Sequence, residues 1–314
     1  MTAFEERTGA QTGGNAGTEG EKPFLTVVTP TYERAEELED LYESLKAQTL
    51  HRFVWLVVDD GSTDGTEAEV RGWQREGLIP VRYLKKKNGG KHTCLNLALN
   101  WIDTELTMIV DSDDRLTEDA CAKILEIHEK YRDDASLCGY AFLRGFPDGS
   151  INGAPFAADE WKASYITARV NADDMQADKA EVFRTEVFRQ YRFPEIPGEN
   201  FIGEDVVWMR MARKYFMIHV NEIVYIGDYL EDGLTKNRRA HNLACPKGCV
   251  LRALEFMKPD VALKPRMKGS VQYIVYGRFA GLSLEELIEK ARFPRWAQMA
   301  AVPGELIYRR WSGR

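Results

Sequence analysis

From residue 24 the chain repeats one pattern, a short apolar run followed by an amphipathic stretch of helical period. "FLTVVT" (24–29) stops at Pro30 and gives way to "RAEELEDLYESLKAQ" (34–48), in which Leu38, Leu41, Tyr42 and Leu45 recur at helical spacing. "FVWLVV" (53–58) is closed by "DDGSTDG", and a polar amphipathic segment through Trp73 leads to "VRYL" (81–84). "KHTCLNLALNWI" (91–102) reads as a helix and "LTMIV" (106–110) as a strand. "TEDACAKILEIHEKY" (117–131) is helical again, with Thr117, Glu118 and Asp119 where an N-cap and first turn belong. Strands alternating with helices at this pace predict an α/β fold, a mostly parallel central sheet with helices on both faces. In such sheets ligands bind beyond the carboxyl ends of the strands.

The rhythm changes after about residue 135. "SLCGYAFLR" and "KASYITARV" read as less regular strands, "PGENFIGED" as a Gly-flanked loop and "VVWMRMARKY" as a helix. From about 229 strand character is lost, and loop plus two or three helices are expected. The expected organisation is a disordered N-terminal tail (1–22), an α/β domain (23–228) and a helical, basic C-terminal extension (229–314).

Composition fits a soluble enzyme: 44% of the residues are hydrophobic, 29% are charged and the net charge is −7. No apolar run approaches the roughly 18 residues of a membrane span, and the polar N-terminus lacks the apolar region of a signal peptide. Five cysteines at irregular spacing predict a reducing, cytoplasmic setting, and His241, Cys245 and Cys249 lack the spacing of a zinc site. Residues 261–314 carry ten lysines and arginines against four glutamates. With Tyr273, Tyr276, Phe279, Phe293, Trp296, Tyr308 and Trp311 they suggest an anionic surface as partner, a membrane leaflet at the inner face being one candidate. The alternative is a helical subdomain whose aromatics pack on the core.

The strand "TMIV" runs straight into Asp111, Asp113 and Asp114, three carboxylates that repel one another. Asp59 and Asp60 end another strand in the same way. An Asp-x-Asp pair at a strand end suits a hard divalent cation, Mn2+ or Mg2+, which relieves the repulsion and shares its remaining positions with phosphate and water. A solvated acidic loop is the plainer reading of that pair alone. Two other motifs fail on particular residues. A phosphatase D-x-D-x-T loop would need a hydroxyl where Arg115 stands, and a P-loop would need Gly at Lys85 and Ser or Thr at His92.

Four segments in register, residues 24–66, "NGGKHTCLNLAL", "IVDSDDRL" and "GED", resemble the family 2 glycosyltransferases with the GT-A fold, over roughly residues 23–228. The resemblance implies a metal-dependent, inverting transfer of a sugar from a nucleotide diphosphate donor, a UDP-sugar above all. The acceptor it implies is a glycan or lipid-linked precursor of a bacterial surface polysaccharide, with no nucleic acid among the partners. It assigns Thr29, Pro30, Tyr32 and Glu33 to the nucleotide pocket, Asp60 to the uracil edge, Lys91 to the base or diphosphate, Asp111 to the ribose and metal, and Asp113 to the metal. Asp178 and Lys179, in "DKAEVFRTEVFRQYRFPEIPGENFIGED", are expected to face donor or acceptor, and "YLEDGLTKN" continues the likeness. "GED" supplies the base that takes the acceptor's proton, with Asp205 or its neighbour Glu204 in that role. A nucleotidyltransferase would want a Gly-rich basic loop after the first strand, which "TPTYERAEE" is not. A non-catalytic nucleotide-sugar scaffold would not need all of these carboxylates.

Overall fold

The computed structural model describes residues 22–172, 175, 177–227 and 238–313; the N-terminal tail expected over 1–22 lies almost wholly outside them. Four parallel strands, β1 (Leu25–Thr31), β2 (Phe53–Asp59), β3 (Val81–Lys85) and β4 (Leu106–Ile109), form the first half of the sheet in the order β3-β2-β1-β4. Helices α1 (Glu37–Lys46), α2 (Thr66–Glu76) and α3 (Lys91–Ala98) make the crossovers. Every residue of β1 and β2 is buried, as expected where a sheet is covered on both faces.

Alternation divides the two faces. Val27, Trp55 and Met108 point to the side covered by Leu38, Leu41 and Leu45 of α1 and by α4 (Ala120–Tyr131). Val28, Leu56 and Val58 point to the side covered by Leu95 of α3 and by Val206, Val207 and Trp208 of α6 (Asp205–Met211).

Beyond β4 the sheet becomes mixed. β8 (Lys179–Arg184) is antiparallel to β4 and to β6 (Leu137–Gly145), and β9 (Phe216–Ile226) runs parallel to β6. The short β5 (Arg115–Leu116) and β7 (Trp161–Ala163) both pair with β9. The strand expected over "KASYITARV" ends early, and Ile166–Val170 forms a π-helical turn despite its β-branched residues. Such turns re-aim side chains, and this one turns Arg169 into the cleft described below.

Among the described residues five C-terminal helices follow where two or three were expected: α7 (Arg238–Ala244), α8 (Pro246–Phe256), α9 (Leu263–Phe279), α10 (Leu284–Glu289) and α11 (Pro294–Ser312). Gly281, with φ 90°, and the capping box of Ser283 and Glu286 break the segment between α9 and α10, and Pro294 opens α11. Their core holds Ala253, Tyr273, Ile274 and Leu287, and Phe256 and Val261 join the core under the sheet. The tail aromatics pack inward: Tyr273, Tyr276 and Tyr308 are buried, and Phe293 and Trp296 lie against the helical core. Inter-helix packing thus already covers the three tyrosines, while Phe279 and Trp311 are half-buried. No described helix is long and apolar enough to cross a membrane.

Candidate active site

The chain builds β1, β2 and β3 outward in one direction and then returns to place β4 on the other side of β1. A crevice opens at that reversal, beyond the carboxyl ends of the strands. Here it is a cleft of 1140 Å³ whose walls include Pro30, Tyr32, Asp60, Lys91, Asp111, Asp113, Asp178, Glu204 and Asp205. With Lys179, which also lines the wall, ten of the expected site residues thus meet although they span the chain from 30 to 205.

Two do not. Thr29 is fully buried, and its Oγ1 accepts a hydrogen bond from Trp55 Nε1 at 2.9 Å. The two-residue period of β1 turns it into the sheet face, away from the crevice. Glu33 adopts a left-handed conformation (φ 52°), and its carboxylate accepts from the Thr63 amide at 2.7 Å and hydroxyl at 3.0 Å. It braces the turn after β2 and is absent from the cleft wall. "YLEDGLTKN" lies outside the described residues.

At one end of the cleft Asp60 organises "NGGK". Its carboxylate accepts from the amides of Gly89 (2.9 Å) and Gly90 (2.6 Å) and from Lys86 Nζ (2.6 Å). Gly90 has φ 93°, and a Cβ there would stand 1.7 Å from the Asn200 carbonyl oxygen, so no other residue fits. Tyr32 stands half exposed on the rim as an aromatic face.

The three clustered aspartates have separate surroundings. Asp114 is buried and accepts from Arg144 Nη2 at 2.8 Å and Tyr225 OH at 2.7 Å; burial and then Asp111 push its pKa up to about 7. The Tyr225 oxygen also accepts from the Asp111 amide at 3.0 Å, and Arg144 reaches Asp178 at 2.9 Å. Asp114 is therefore a brace beneath the motif. Asp113 is held above the usual carboxylate range by burial and by Asp111. Burial alone would raise Asp111 as well, but its ion pair with Lys91 holds it low. A carboxylate raised by burial and by a charged neighbour, as Asp113 is, is suited to a cation. Among the described residues no three His, Cys, Asp or Glu side chains are placed to hold a metal ion by themselves, so Asp111 and Asp113 would hold a divalent ion only with oxygens from a phosphate ligand and water.

Across the cleft, Lys91 also pairs with Glu204 Oε1 at 3.0 Å. The two carboxylates outweigh burial and keep the ammonium firmly protonated. Glu204 itself is raised, by burial first and then by Asp111, against the pull of Lys91. Asp205 opens α6 and is buried; its Oδ2 accepts from Arg252 Nε at 2.6 Å. Its other oxygen, Oδ1, is buried without a hydrogen-bond partner among the described residues. Such an atom is costly unless something else satisfies it. Glu181 of β8 lies nearby with a pKa pushed up by burial to about 7, opposed by Arg169.

Arg144, Arg169, Glu181, Tyr225 and Arg252 were not singled out from sequence, yet all line the cleft. Arg144 carried a faint signal as the lone cation of the apolar run "CGYAFLRG"; Arg252, on a helix beyond the recognised segments, carried none.

Residues 26–175 match the family described as Glycosyl transferase family 2. TuaG of Bacillus subtilis (strain 168), named for teichuronic acid biosynthesis, is 31% identical over 123 residues, 39% of this chain and 48% of TuaG. TarS of Staphylococcus aureus (strain Mu50), a poly(ribitol-phosphate) beta-N-acetylglucosaminyltransferase, is 34% identical over 221 residues, 69% of this chain and 36% of TarS. The chain therefore spans less than half the length of either relative. Among solved structures, TarS 1–349 in complex with UDP-GlcNAc superposes with a TM-score of 0.58 at 17% identity, covering 89% of this chain and 79% of that one. Mannosyltransferase PcManGT from Pyrobaculum calidifontis, in complex with GDP-Man and Mn2+, gives 0.54 at 19% identity, covering 93% and 84%. At such identities the likeness speaks to fold, here the GT-A fold. Through residues 26–175 the chain belongs to glycosyl transferase family 2.

Proposed function

We propose that the chain is an inverting glycosyltransferase that moves a sugar from a nucleoside diphosphate donor to a hydroxyl of a glycan or lipid-linked acceptor in cell-surface polysaccharide synthesis. A UDP-sugar is the favoured donor, supported by the TarS complex with UDP-GlcNAc. Residues 23–228 would hold the donor, and the helices from 229 onward would complete the site. Buried free cysteines support a cytoplasmic setting.

The observation that carries this reading is the pairing of acidic and basic side chains with a buried, unsatisfied carboxylate oxygen in one cleft. In the proposed reaction the base stacks on Tyr32 and donates an N–H to Asp60, and Lys91 lies beside the diphosphate. Mn2+ or Mg2+ held by Asp111 and Asp113 would neutralise the leaving diphosphate. The acceptor hydroxyl donates its proton to Asp205 Oδ1 as its oxygen attacks the anomeric carbon from the face opposite the diphosphate. The anomeric C–O bond breaks, its electron pair leaves with the diphosphate, and one displacement inverts the centre. Arg252 fixes the carboxylate while leaving Oδ1 to the acceptor. Glu204, tied to Lys91, positions rather than abstracts.

The test is a panel of UDP- and GDP-sugars with Mn2+, scored by nucleotide release with and without glycan and lipid-linked acceptors. Acceptor-stimulated release with one donor class is expected. If no donor is bound or consumed, the reading fails.

A further inference from the structure

Helix α11 is packed inside out. Its buried face consists of small residues, Ala297, Ala300, Ala301 and Gly304, with Tyr308. They let α11 approach α9 so closely that a Cβ on Gly304 would stand 2.6 Å from the Cβ of Ile274. The larger aliphatic side chains point the other way: Met299, Val302 and Leu306 are 66%, 71% and 63% exposed. Their spacing, i, i+3 and i+7, puts them on one stripe. A helix whose only role was to close a soluble core would show the opposite arrangement.

The stripe also has a charge pattern. Arg295 is exposed at its N-terminal end, and Arg309 and Arg310 are exposed at its C-terminal end. The single acid of the helix, Glu305, is turned aside to Arg278 at 3.0 Å and Arg309 at 3.1 Å. No exposed residue of α11 is acidic.

We infer that this face of α11 docks on an anionic lipid surface. Three aliphatic side chains enter the interface, and arginines at both ends meet headgroup phosphates, the pattern of a helix lying in the membrane plane. A second copy of the chain is a poorer occupant, because pairing the stripe with itself would bring these arginines near one another. The helix also ends at the cleft: Trp311 forms part of the cleft wall with Arg239, whose guanidinium lies 4.8 Å from the Trp311 ring centroid. Docking would therefore set one edge of the cleft at the lipid surface, where a lipid-linked hydroxyl could reach it.

The experiment is vesicle flotation of the full chain, with phosphatidylcholine alone or mixed with phosphatidylglycerol, at low and high salt. Binding reads no activity, so its outcome is independent of the glycosyl-transfer reading. The wild type should float with the anionic vesicles at low salt, release as salt screens the arginines, and ignore the neutral vesicles. The triple variant Met299→Ser, Val302→Ser, Leu306→Ser should lose flotation in every condition. Arg295→Gln with Arg310→Gln should lower partitioning about fivefold per arginine. All five substitutions are at exposed positions, and melting curves identify any variant that does not fold. The inference is overturned if the wild type ignores anionic vesicles at low salt, or if both variant sets bind as the wild type does. It is also overturned if light scattering shows a wild-type dimer that the triple substitution dissociates, since the stripe would then be a self-association face.

Discussion

Asp113 and Asp205 are carboxylates of one cleft, but their neighbours prepare them for different chemistry. Asp113 is crowded by Asp111, so losing its charge should remove the main reason for a cation to bind. Asp113→Asn is expected to abolish the Mn2+ enhancement of UDP affinity; calorimetry with and without Mn2+ checks this, and an unchanged enhancement would exclude Asp113 as a ligand. Asp205 keeps one oxygen for Arg252 and one unsatisfied. Asp205→Asn should slow transfer by about 10^2 to 10^4, the range typical of a lost general base, with donor affinity nearly unchanged. Glu204→Gln should cost less. The reverse ranking in single-turnover rates would move the base to Glu204. The carboxylates themselves could be read from sequence because each ends an apolar run or opens a helix. Their division of labour could not. Asp114 resembles Asp113 until Arg144 and Tyr225, far away in sequence, are brought against it by the sheet.

Among the elements, β1 to β4 and their helices were legible because a buried parallel strand and an amphipathic helix leave clear periods. The turn at Ile166–Val170 was not, since its β-branched residues favour a strand and tertiary contacts prevail. β9 carries a further property that no local pattern reveals. His219 is fully buried, with Nδ1 donating to the Trp161 carbonyl oxygen at 3.0 Å in the tautomer that this contact favours. Burial depresses its pKa from 6.5 to about 4. An unfolded chain would bind the proton in that window while the native chain would not, so stability should fall as pH drops from 6.5 towards 4. The loss amounts to roughly 3 kcal/mol at full extent. His92, buried and likewise depressed, acts with the same sign. Denaturation at stepped pH should therefore show a shallower slope for His219→Gln than for the wild type, and an equal slope would refute the assignment.

At the scale of the molecule, one link between the C-terminal helices and the cleft is Arg252. It reaches from α8 to Asp205 on α6, and its guanidinium also lies 4.7 Å from the Phe256 ring centroid. Arg252→Gln removes a charge partner from a buried carboxylate, which strands it and costs several kcal/mol at sites of this kind. The expected result is a lower melting temperature and slower transfer, with UDP affinity close to the wild-type value; a variant that melts and turns over normally would show the contact to be incidental. There is a consequence for how such an enzyme can change over time. The proposed catalytic carboxylate and its anchor both lie outside residues 26–175, the part that carries the family signature. Recombination that joined this signature segment to a foreign C-terminal half would therefore inherit a donor pocket without a working base. Only exchanges that move α6 and α8 together would yield a new transferase, so these two helices should travel as a pair.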